Sequence, residues 1–162
     1  ETGKTLWTKQ VYRNNGGHGD FVEVNNGVAV IAMGAYPGFS GGSASIFAAG
    51  IDTDGGKELW RFQTDCGLWN IMALFPDEET TVFNDYCGNV YRLGLRNGTQ
   101  IWKAPGSFLS FTDGGSMLGP DGAVYTCSNQ KFSQGGVGQK GVLRKHSLGD
   151  GTLEWRTSLE YP

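Results

Sequence analysis

The amino-acid sequence predicts an all-β fold made of small, repeated antiparallel sheets. One motif, a strand, a glycine turn and a second strand that ends in Trp, recurs along the chain. Of the 162 residues, 27 are Gly and 12% are aromatic, a composition typical of many short strands joined by tight turns. No long segment has the apolar spacing of an amphipathic helix. These observations together favour a β-class repeat protein.

The recurring motif places a Gly four residues before a Trp, and its clearest copy runs over residues 50–60. A tight hairpin turn needs positive φ, which Gly adopts without steric cost. The flat indole on the returning strand can then cover the gap between one sheet and the next. The residues of the predicted docking motif are Gly3, Trp7, Asp52, Gly56, Trp60, Gly98, Trp102, Gly151 and Trp155.

The four motif tryptophans recur at intervals of about 40 to 55 residues, close to the repeat length of propeller blades. We therefore predict a partial β-propeller of about three four-stranded antiparallel blades. The prediction is one domain over residues 1–162, with repeat units at about 8–60, 61–102 and 103–155. Closed propellers have about four to eight blades, so we expect either a fragment or a protomer whose ring a partner completes. Four ordinary hairpins that share a turn by chance are the alternative.

Alternating apolar residues and turn signals predict the strands of each unit. The first unit is predicted to contain a strand through Val11 and strands over 21–24, 27–33, 43–51 and 57–63. The second unit is predicted to contain four strands, over 68–74, 80–84, 89–95 and 99–103. The third unit is predicted to contain strands over 107–112, 116–118, 123–127, 142–148 and 152–158.

The charge pattern excludes some classes of partner. The formal net charge is −3 and the isoelectric point is about 5.3, and no run of Lys or Arg occurs. Nucleic-acid and membrane-surface binders usually carry basic clusters, so neither class is expected. The sequence also has no apolar stretch long enough for a transmembrane helix, and no signal peptide is recognisable.

Three cysteines, Cys66, Cys87 and Cys127, are too few for a disulfide framework. Cys66 and Cys87 flank the strands of one repeat and could pair in an oxidising compartment. We favour the other interpretation, in which all three are small buried hydrophobic side chains.

No catalytic, cofactor-binding or metal-binding residue is predicted. The two histidines lack the clustered ligands that a zinc site needs, and His146 is expected to be a half-exposed sheet residue. Asp85, Asp113 and Asp121 occur in turn contexts, where a carboxylate bonds nearby backbone N–H groups. No Gly-x-Ser-x-Gly elbow is present, which argues against a serine nucleophile.

Two loops are the candidate interaction sites. The outer units are longer than the middle unit, and the extra residues lie at an equivalent point of each, before the last hairpin. Insertions at one point of a repeat project from one rim of the array, and exposed loop aromatics often anchor interfaces. The candidate residues are Tyr36, Phe39, Lys131 and Phe132. In the alternative, these rings fold back onto their own blades.

Residues 50–60 resemble the docking motif of the pyrroloquinoline-quinone (PQQ)-like propeller repeat, the quinoprotein alcohol dehydrogenase-like family. In that motif a small residue, an Asp, a Gly followed by Lys, and a Trp recur in order. In this sequence Gly50 occupies the position of the small residue and Asp52 that of the Asp. Gly56 is the turn glycine and Trp60 is the Trp that ends the motif.

Two other copies of the motif are degenerate. The copies that end at Trp102 and Trp155 keep Gly and Trp but carry Gly94 and Ser147 where the Asp stands. Through its repeats the resemblance still covers nearly the whole chain.

The resemblance implies a β-propeller of four-stranded blades, in a family of varied functions. Some members are quinoprotein dehydrogenases that hold PQQ beside calcium, many with a pair of adjacent cysteines. Others are docking platforms, such as the barrel-assembly lipoprotein of bacterial outer membranes. This sequence has no adjacent cysteines.

From these features we expect a non-catalytic protein-interaction or scaffolding module, an accessory subunit of a larger assembly that needs no cofactor. A protein partner would complete the propeller or dock on it, outside the cytoplasm in the periplasm, an organelle lumen or secreted space. The sequence leaves open whether the chain is an enzyme, and we favour the interpretation that it is not. The alternatives are a fragment of a PQQ- and calcium-dependent dehydrogenase whose cofactor site lies outside this chain, and a carbohydrate-binding propeller.

Overall fold

The structure, a computed structural model, describes residues 3–11, 18–34, 47–68, 72–106, 112, 114–130 and 140–159. All regular elements in these ranges are β-strands, and none of the described segments is a helix that could cross a membrane. The strands are β1 (His18–Asn25), β2 (Val28–Gly34), β3 (Phe47–Asp52), β4 (Glu58–Gln63), β5 (Thr80–Asn84), β6 (Val90–Gly94), β7 (Gln100–Ala104), β8 (Ser116–Leu118), β9 (Val124–Gln130), β10 (Lys140–His146) and β11 (Leu153–Leu159).

The strands form three separate antiparallel sheets in chain order, which we name blades 1, 2 and 3. Blade 1 has the order β1-β2-β3-β4, blade 2 has β5-β6-β7, and blade 3 has β8-β9-β10-β11. Each strand pairs with its neighbour in the sequence, as in a meander. Successive antiparallel meander sheets that do not close into a ring are the arrangement expected of a partial propeller. The predicted fold class, a partial all-β propeller, is confirmed.

Two strand predictions differ from the structure. Among the described residues blade 2 has three strands instead of four; of the predicted strand over 68–74, residues 69–71 lie outside the described ranges, and Leu74 forms an isolated bridge to Val82 with N···O distances of 2.7 and 2.8 Å. The predicted strand through Val11 is not seen in residues 3–11, which pair with no described strand, and residues 12–17 lie outside the described ranges. Strand propensity alone does not make a strand, because the backbone also needs a hydrogen-bonding neighbour.

The core lies between the blades. Between blades 1 and 2, the rings of Phe62, Phe83 and Tyr91 pack with centroids 5.4 to 6.4 Å apart. Between blades 2 and 3, Val82 and Val90 pack against Val124. Large aromatic and branched side chains buried in this way supply most of the free energy that holds one blade to the next.

The face of blade 1 that points away from blade 2 is covered only in part by the described residues. Residues 3–11 lie over it, where Val11 packs against a cluster that contains Phe47 and Ile51. On β1 the side chains of Val22 and Val24 remain exposed, while Phe21, which points the other way, packs toward blade 2.

The prediction of three buried free cysteines is wrong. Cys66 and Cys87 form a disulfide with a Cα–Cα distance of 5.8 Å, and Cys127 is an exposed free thiol. The pairing arises because the segment after β4 and the turn after β5 meet at one carboxylate. Asp85 accepts hydrogen bonds from both Cys66 N and Cys87 N, which places the two side chains next to each other.

Candidate functional site

Each of the first three motif tryptophans lies over the turn glycine of the following motif. The pairs are Trp7 with Gly56, Trp60 with Gly98, and Trp102 with Gly151. A Cβ placed on any of these glycines would lie 2.6 to 2.7 Å from an indole atom, closer than real Cβ contacts allow. The indole therefore needs a residue without a side chain beneath it.

The indole N–H groups make the same hydrogen bond in all three pairs. Each donates to the backbone carbonyl three residues before the glycine; for the two buried rings, Trp60 and Trp102, an N–H without such a partner would cost free energy. The bonds run from Trp7 Nε1 to Thr53 O at 2.8 Å, from Trp60 Nε1 to Leu95 O at 2.7 Å, and from Trp102 Nε1 to Leu148 O at 2.8 Å.

The three docking turns keep one backbone shape despite their different sequences. The glycines have φ of 67°, 65° and 75°, in the left-handed region. In the first turn Asp52 Oδ1 accepts a bond from Asp54 N at 2.9 Å. In the other two, Asn97 and Asp150 bond the N–H two residues later, each at 3.0 Å. A side chain elsewhere in the turn thus stabilises the copies in which the motif Asp is absent.

Trp155 has no such turn over it among the described residues. Its exposed fraction is 41%, compared with 37% for the docked Trp7 and 7% and 6% for Trp60 and Trp102. Its ring makes an edge-to-face contact with Tyr125, with centroids 6.0 Å apart. Trp155 is therefore a docking indole whose outer side faces solvent.

Trp155 belongs to a face of blade 3 that no described residue covers, which we call the open face. Directly opposed residues of neighbouring strands share one face of a sheet, and the strand register therefore defines the set. The open face comprises Met117, Tyr125, Cys127, Asn129, Gly141, Leu143, Lys145, Trp155, Thr157 and Leu159. Met117 is 70% exposed and Leu159 is 48% exposed. The opposite face of the same strands is buried against blade 2, through Val124 and His146.

The one cation of the open face is neutralised. Lys145 Nζ lies 2.9 Å from Asp121 Oδ2 and 2.8 Å from Glu154 Oε2, and Tyr125 donates its O–H to Asp121 at 2.9 Å. The hydrogen bond from Lys145 is the main cause that lowers the pKa of Asp121 to about 2. Glu154 and Asp121 raise the pKa of Lys145. The open face therefore combines exposed apolar area with paired charges.

Comparison with known proteins agrees with this geometry. No protein-family model matches the chain, and no curated protein matches its sequence. Solved structures do match. BamB from Moraxella catarrhalis superposes with a TM-score of 0.63 at 14% identity, over 86% of this chain and 40% of that one.

Two redox enzymes also match. A europium-containing methanol dehydrogenase has a TM-score of 0.65 at 12% identity, over 87% of this chain and 24% of that one. The quinohemoprotein alcohol dehydrogenase from Comamonas testosteroni has a TM-score of 0.58 at 14% identity, over 86% of this chain and 21% of that one. All three are PQQ-like β-propeller repeat proteins.

This chain has the fold of the PQQ-like β-propeller repeat. It spans less than half the length of each structure described above. At these identities the likeness establishes the fold and leaves the function to be argued from the residues.

A second cluster in this PQQ-like segment surrounds Asp85, which is fully buried. Its carboxylate accepts five hydrogen bonds, and burial raises its pKa while these donors act in the opposite direction. The donors are Cys66 N at 3.2 Å, Cys87 N at 3.0 Å, Asn89 N at 3.0 Å, Asn89 Nδ2 at 2.8 Å and Tyr91 OH at 2.8 Å.

The Asp85 cluster has the residue types of a metal site, but its bonds link two segments of the chain. The two cysteine sulfurs and a carboxylate oxygen of Asp85 lie within 4.8 Å of one another. The sulfurs are bonded to each other, however, and a disulfide offers no thiolate to a metal. The carboxylate oxygens are already occupied by N–H and O–H donors. The cluster ties the end of β4 to the turn between β5 and β6.

His146 is buried, contrary to the prediction of a half-exposed residue. It is 3% exposed, because the even-numbered positions of β10 point toward blade 2. Its Nδ1 lies 3.3 Å from Gly151 O, and its Nε2 has no hydrogen-bond partner among the described residues. Burial and the nearby Arg144 lower the pKa of His146, so the ring is neutral at physiological pH.

The loop candidates from the sequence, Tyr36, Phe39, Lys131 and Phe132, lie outside the described residues. The open face of blade 3 was missed at the sequence level. A signal was present, because Trp155 is the one motif Trp after which no further Gly-to-Trp motif follows in the printed sequence. Apolar residues on four different strands were needed to complete the face, and sequence alone does not align four strands.

Proposed function

We propose that this chain is a non-catalytic protein-interaction or scaffolding segment of a PQQ-like propeller that works as part of a larger assembly. The observation that carries the proposal is the open face of blade 3. Exposed apolar patches with polar rims commonly mark protein-interaction sites, and Trp and Tyr are frequent anchors within them.

The edge of blade 3 supports the same function. All seven residues of β11 are exposed, and β11 is the last strand of its sheet. An edge strand presents unpaired N–H and C=O groups that can bond a partner backbone. The apolar face and this edge adjoin each other, so one partner can use both.

The disulfide favours an extracytoplasmic site of action. Disulfides persist in secreted, luminal and periplasmic proteins and are rare in the reducing cytosol. The Cys66–Cys87 bond therefore supports the expected localisation outside the cytoplasm.

A charge placed on the open face tests the proposal. We expect Met117→Glu in the full-length protein to abolish co-purification of its partner from the source organism, because a carboxylate would be buried against apolar atoms. Met72→Glu is the matched control, since Met72 is also exposed but lies outside the open face. The partner is identified by mass spectrometry and by reciprocal purification with the partner tagged. Identical partners for both variants and the parent would contradict the proposal.

A PQQ-dependent dehydrogenase is the second candidate, favoured by the fold shared with the two dehydrogenases. Titration of the full-length protein with PQQ and calcium, followed by absorbance and by dye reduction with a primary alcohol, distinguishes the two functions. We expect no saturable binding and no dye reduction. A saturable chromophore would overturn the scaffolding proposal.

A carbohydrate-binding propeller is the third candidate, and the partly exposed ring of Trp155 is the aromatic platform it would use. A glycan array probed with the full-length protein tests this function directly. Binding that is lost in Trp155→Ala would favour it over a protein partner.

A further inference from the structure

We infer that Asn97 is a site of N-linked glycosylation. Its basis is the triplet Asn97-Gly98-Thr99, the one Asn-x-Ser/Thr acceptor in the printed sequence, which the fold places in the hairpin between β6 and β7. The inference rests on the extracytoplasmic location proposed above, and it is independent of the open face of blade 3. The disulfide supports passage through an oxidising secretory compartment, where this modification takes place.

The acceptor is open to an enzyme in the folded chain. Asn97 and Thr99 are both exposed. Asn97 Oδ1 accepts a hydrogen bond from Thr99 N at 3.0 Å, whereas its Nδ2, the atom that would carry the sugar, donates to no described residue. Blade 2 packs against a blade on each side, so the exposure of its hairpin does not depend on where the printed chain ends.

The turn itself does not require an amide at position 97. Asp150, in the equivalent turn between β10 and β11, accepts the N–H two residues later at the same 3.0 Å. Positive φ does not require it either, because among the described residues other than Gly it occurs at Asn26 and not at Asn97. At Asn26 the amide is also used, since its Nδ2 donates to Glu78 O at 2.9 Å. The carboxamide of Asn97 therefore gives the fold nothing that a carboxylate would not, and it remains available for modification.

The reaction is a glycosyl transfer from an oligosaccharide carried on a polyprenyl diphosphate. Asn97 Nδ2 forms a bond to the anomeric carbon of the sugar, while the bond from that carbon to the diphosphate oxygen breaks. The polyprenyl diphosphate leaves with the electron pair, and one amide proton passes to a base of the transferase. The attached glycan is bulky and solubilising. It would lie in the hairpin that leads into β7, the last strand of its sheet, and would shield that unpaired edge.

Mass spectrometry of the full-length protein, purified from its source organism, tests the inference. We expect the peptide that contains Asn97 to carry a glycan, and peptide-N-glycosidase in heavy-oxygen water to convert Asn97 to a labelled aspartate. Alkylation of free thiols in the same sample reports whether Cys66 and Cys87 are paired. An unmodified Asn97 in protein whose two cysteines are paired would overturn the inference and leave the location standing. An unmodified Asn97 together with free Cys66 and Cys87 would reject the location and the inference with it.

Matched variants of the full-length protein, produced in the source organism, assign the modification to the triplet. Asn97→Asp and Thr99→Ala should each lose the mass shift that the glycosidase removes. Thr152→Ala should keep it, because Thr152 has the same place in a turn that carries Asp150 instead of Asn. Asn97→Asp retains the acceptor of the turn and should unfold at the same urea concentration as the enzymatically deglycosylated parent, which verifies that it is folded.

Two results with these variants would contradict the inference. A mass shift that persists in Asn97→Asp would place the sugar on another residue, and loss of the shift in Thr152→Ala would show that it does not depend on the triplet. The scaffolding proposal fails separately, when Met117→Glu keeps the partner, whatever the state of Asn97.

Discussion

At the scale of single residues, two buried polar groups affect the stability of blades 2 and 3. Asp85 is a carboxylate with five donors around it, and His146 is a buried ring whose Nε2 has no hydrogen-bond partner among the described residues and whose pKa is lowered by burial. Buried polar groups cost little when they are fully bonded and much when one partner is removed. These two side chains are therefore sensitive positions, although neither lies on the open face.

We expect Asp85→Asn to lower the free energy of unfolding by about 2 to 3 kcal/mol. The amide N–H₂ would face donors such as Tyr91 OH and leave them without an acceptor. Urea denaturation measures the change. Asp150→Asn is the control, because Asp150 is exposed and Asn97 occupies the equivalent position in the preceding turn. The free energy of unfolding of this variant should differ from that of the parent by no more than about 0.5 kcal/mol. Equal effects of both variants would contradict the structural role of Asp85.

His146 should make stability depend on pH. Its folded-state pKa is lowered below the ordinary value of 6.5, so the unfolded chain takes up a proton first as the pH falls. The stability from the neutral ring is present above pH 6.5 and declines as the pH falls below that value. We expect the melting temperature to drop more steeply between about pH 7 and 5.5 in the parent than in His146→Gln. Parallel melting curves for the two proteins would show that His146 does not titrate in this way.

At the scale of elements, the docking turn is the unit that joins one blade to the next. A positive-φ glycine, a carbonyl three residues before it and an indole from the preceding blade form one joint. Neither sheet makes this joint alone, since the turn and the indole belong to different blades. In propellers and other repeat arrays, stability is approximately a sum of unit and neighbour terms.

Gly98→Ala should lower the free energy of unfolding by about 2 to 4 kcal/mol. Alanine is strained at this positive φ, and its methyl group would clash with the Trp60 ring that packs on Gly98. A Cβ at Gly98 would lie 2.7 Å from the ring, whereas a Cβ at Gly55 has no atom within 4 Å. Gly55→Ala is therefore the control and should change stability little. Denaturant unfolding compares them, and similar losses for both would mean that the indole contact does not hold the blades.

At the scale of the whole molecule, the three blades form an arc with unlike outer faces. Blade 1 is partly covered by residues 3–11, while blade 3 presents the open face. Blade 2 lies between them and carries both the disulfide and the Asp85 cluster. The middle blade thus has the strongest internal constraints, and the outer blades carry the exposed apolar side chains, such as Val22 and Met117.

The disulfide should contribute about 3 kcal/mol to the stability of the whole arc, from a loop of 21 residues closed in the unfolded chain. We expect the double variant Cys66→Ser and Cys87→Ser to unfold at lower denaturant concentration by that amount under oxidising conditions. With a reductant present, the parent and the double variant should unfold at the same midpoint. A difference that persists in reductant would indicate that the serines perturb the Asp85 cluster, and no difference in either condition would contradict the bond.

Local features of the fold could be predicted from the sequence because they depend on neighbouring residues. Turn chemistry at Asn26-Gly27 and at the motif glycines, together with short alternating apolar runs, indicated antiparallel hairpins and a blade-like repeat. The predicted second strand boundary near Val28 and the hairpin around Gly98 lie close to the observed strands. The loop candidates Tyr36 and Phe132 stay predictions, because they lie outside the described residues.

The sequence by itself determined the β class, the hairpins and the positions of the docking glycines and indoles, since φ preference and strand alternation act over a few residues. Only the tertiary structure decided that Cys66 pairs with Cys87, that His146 is buried, that the first three motif indoles each dock on the glycine of the following motif, and that no described residue covers the open face. Each of these depends on which distant strands meet, and that is set by the packing of whole sheets rather than by any local pattern.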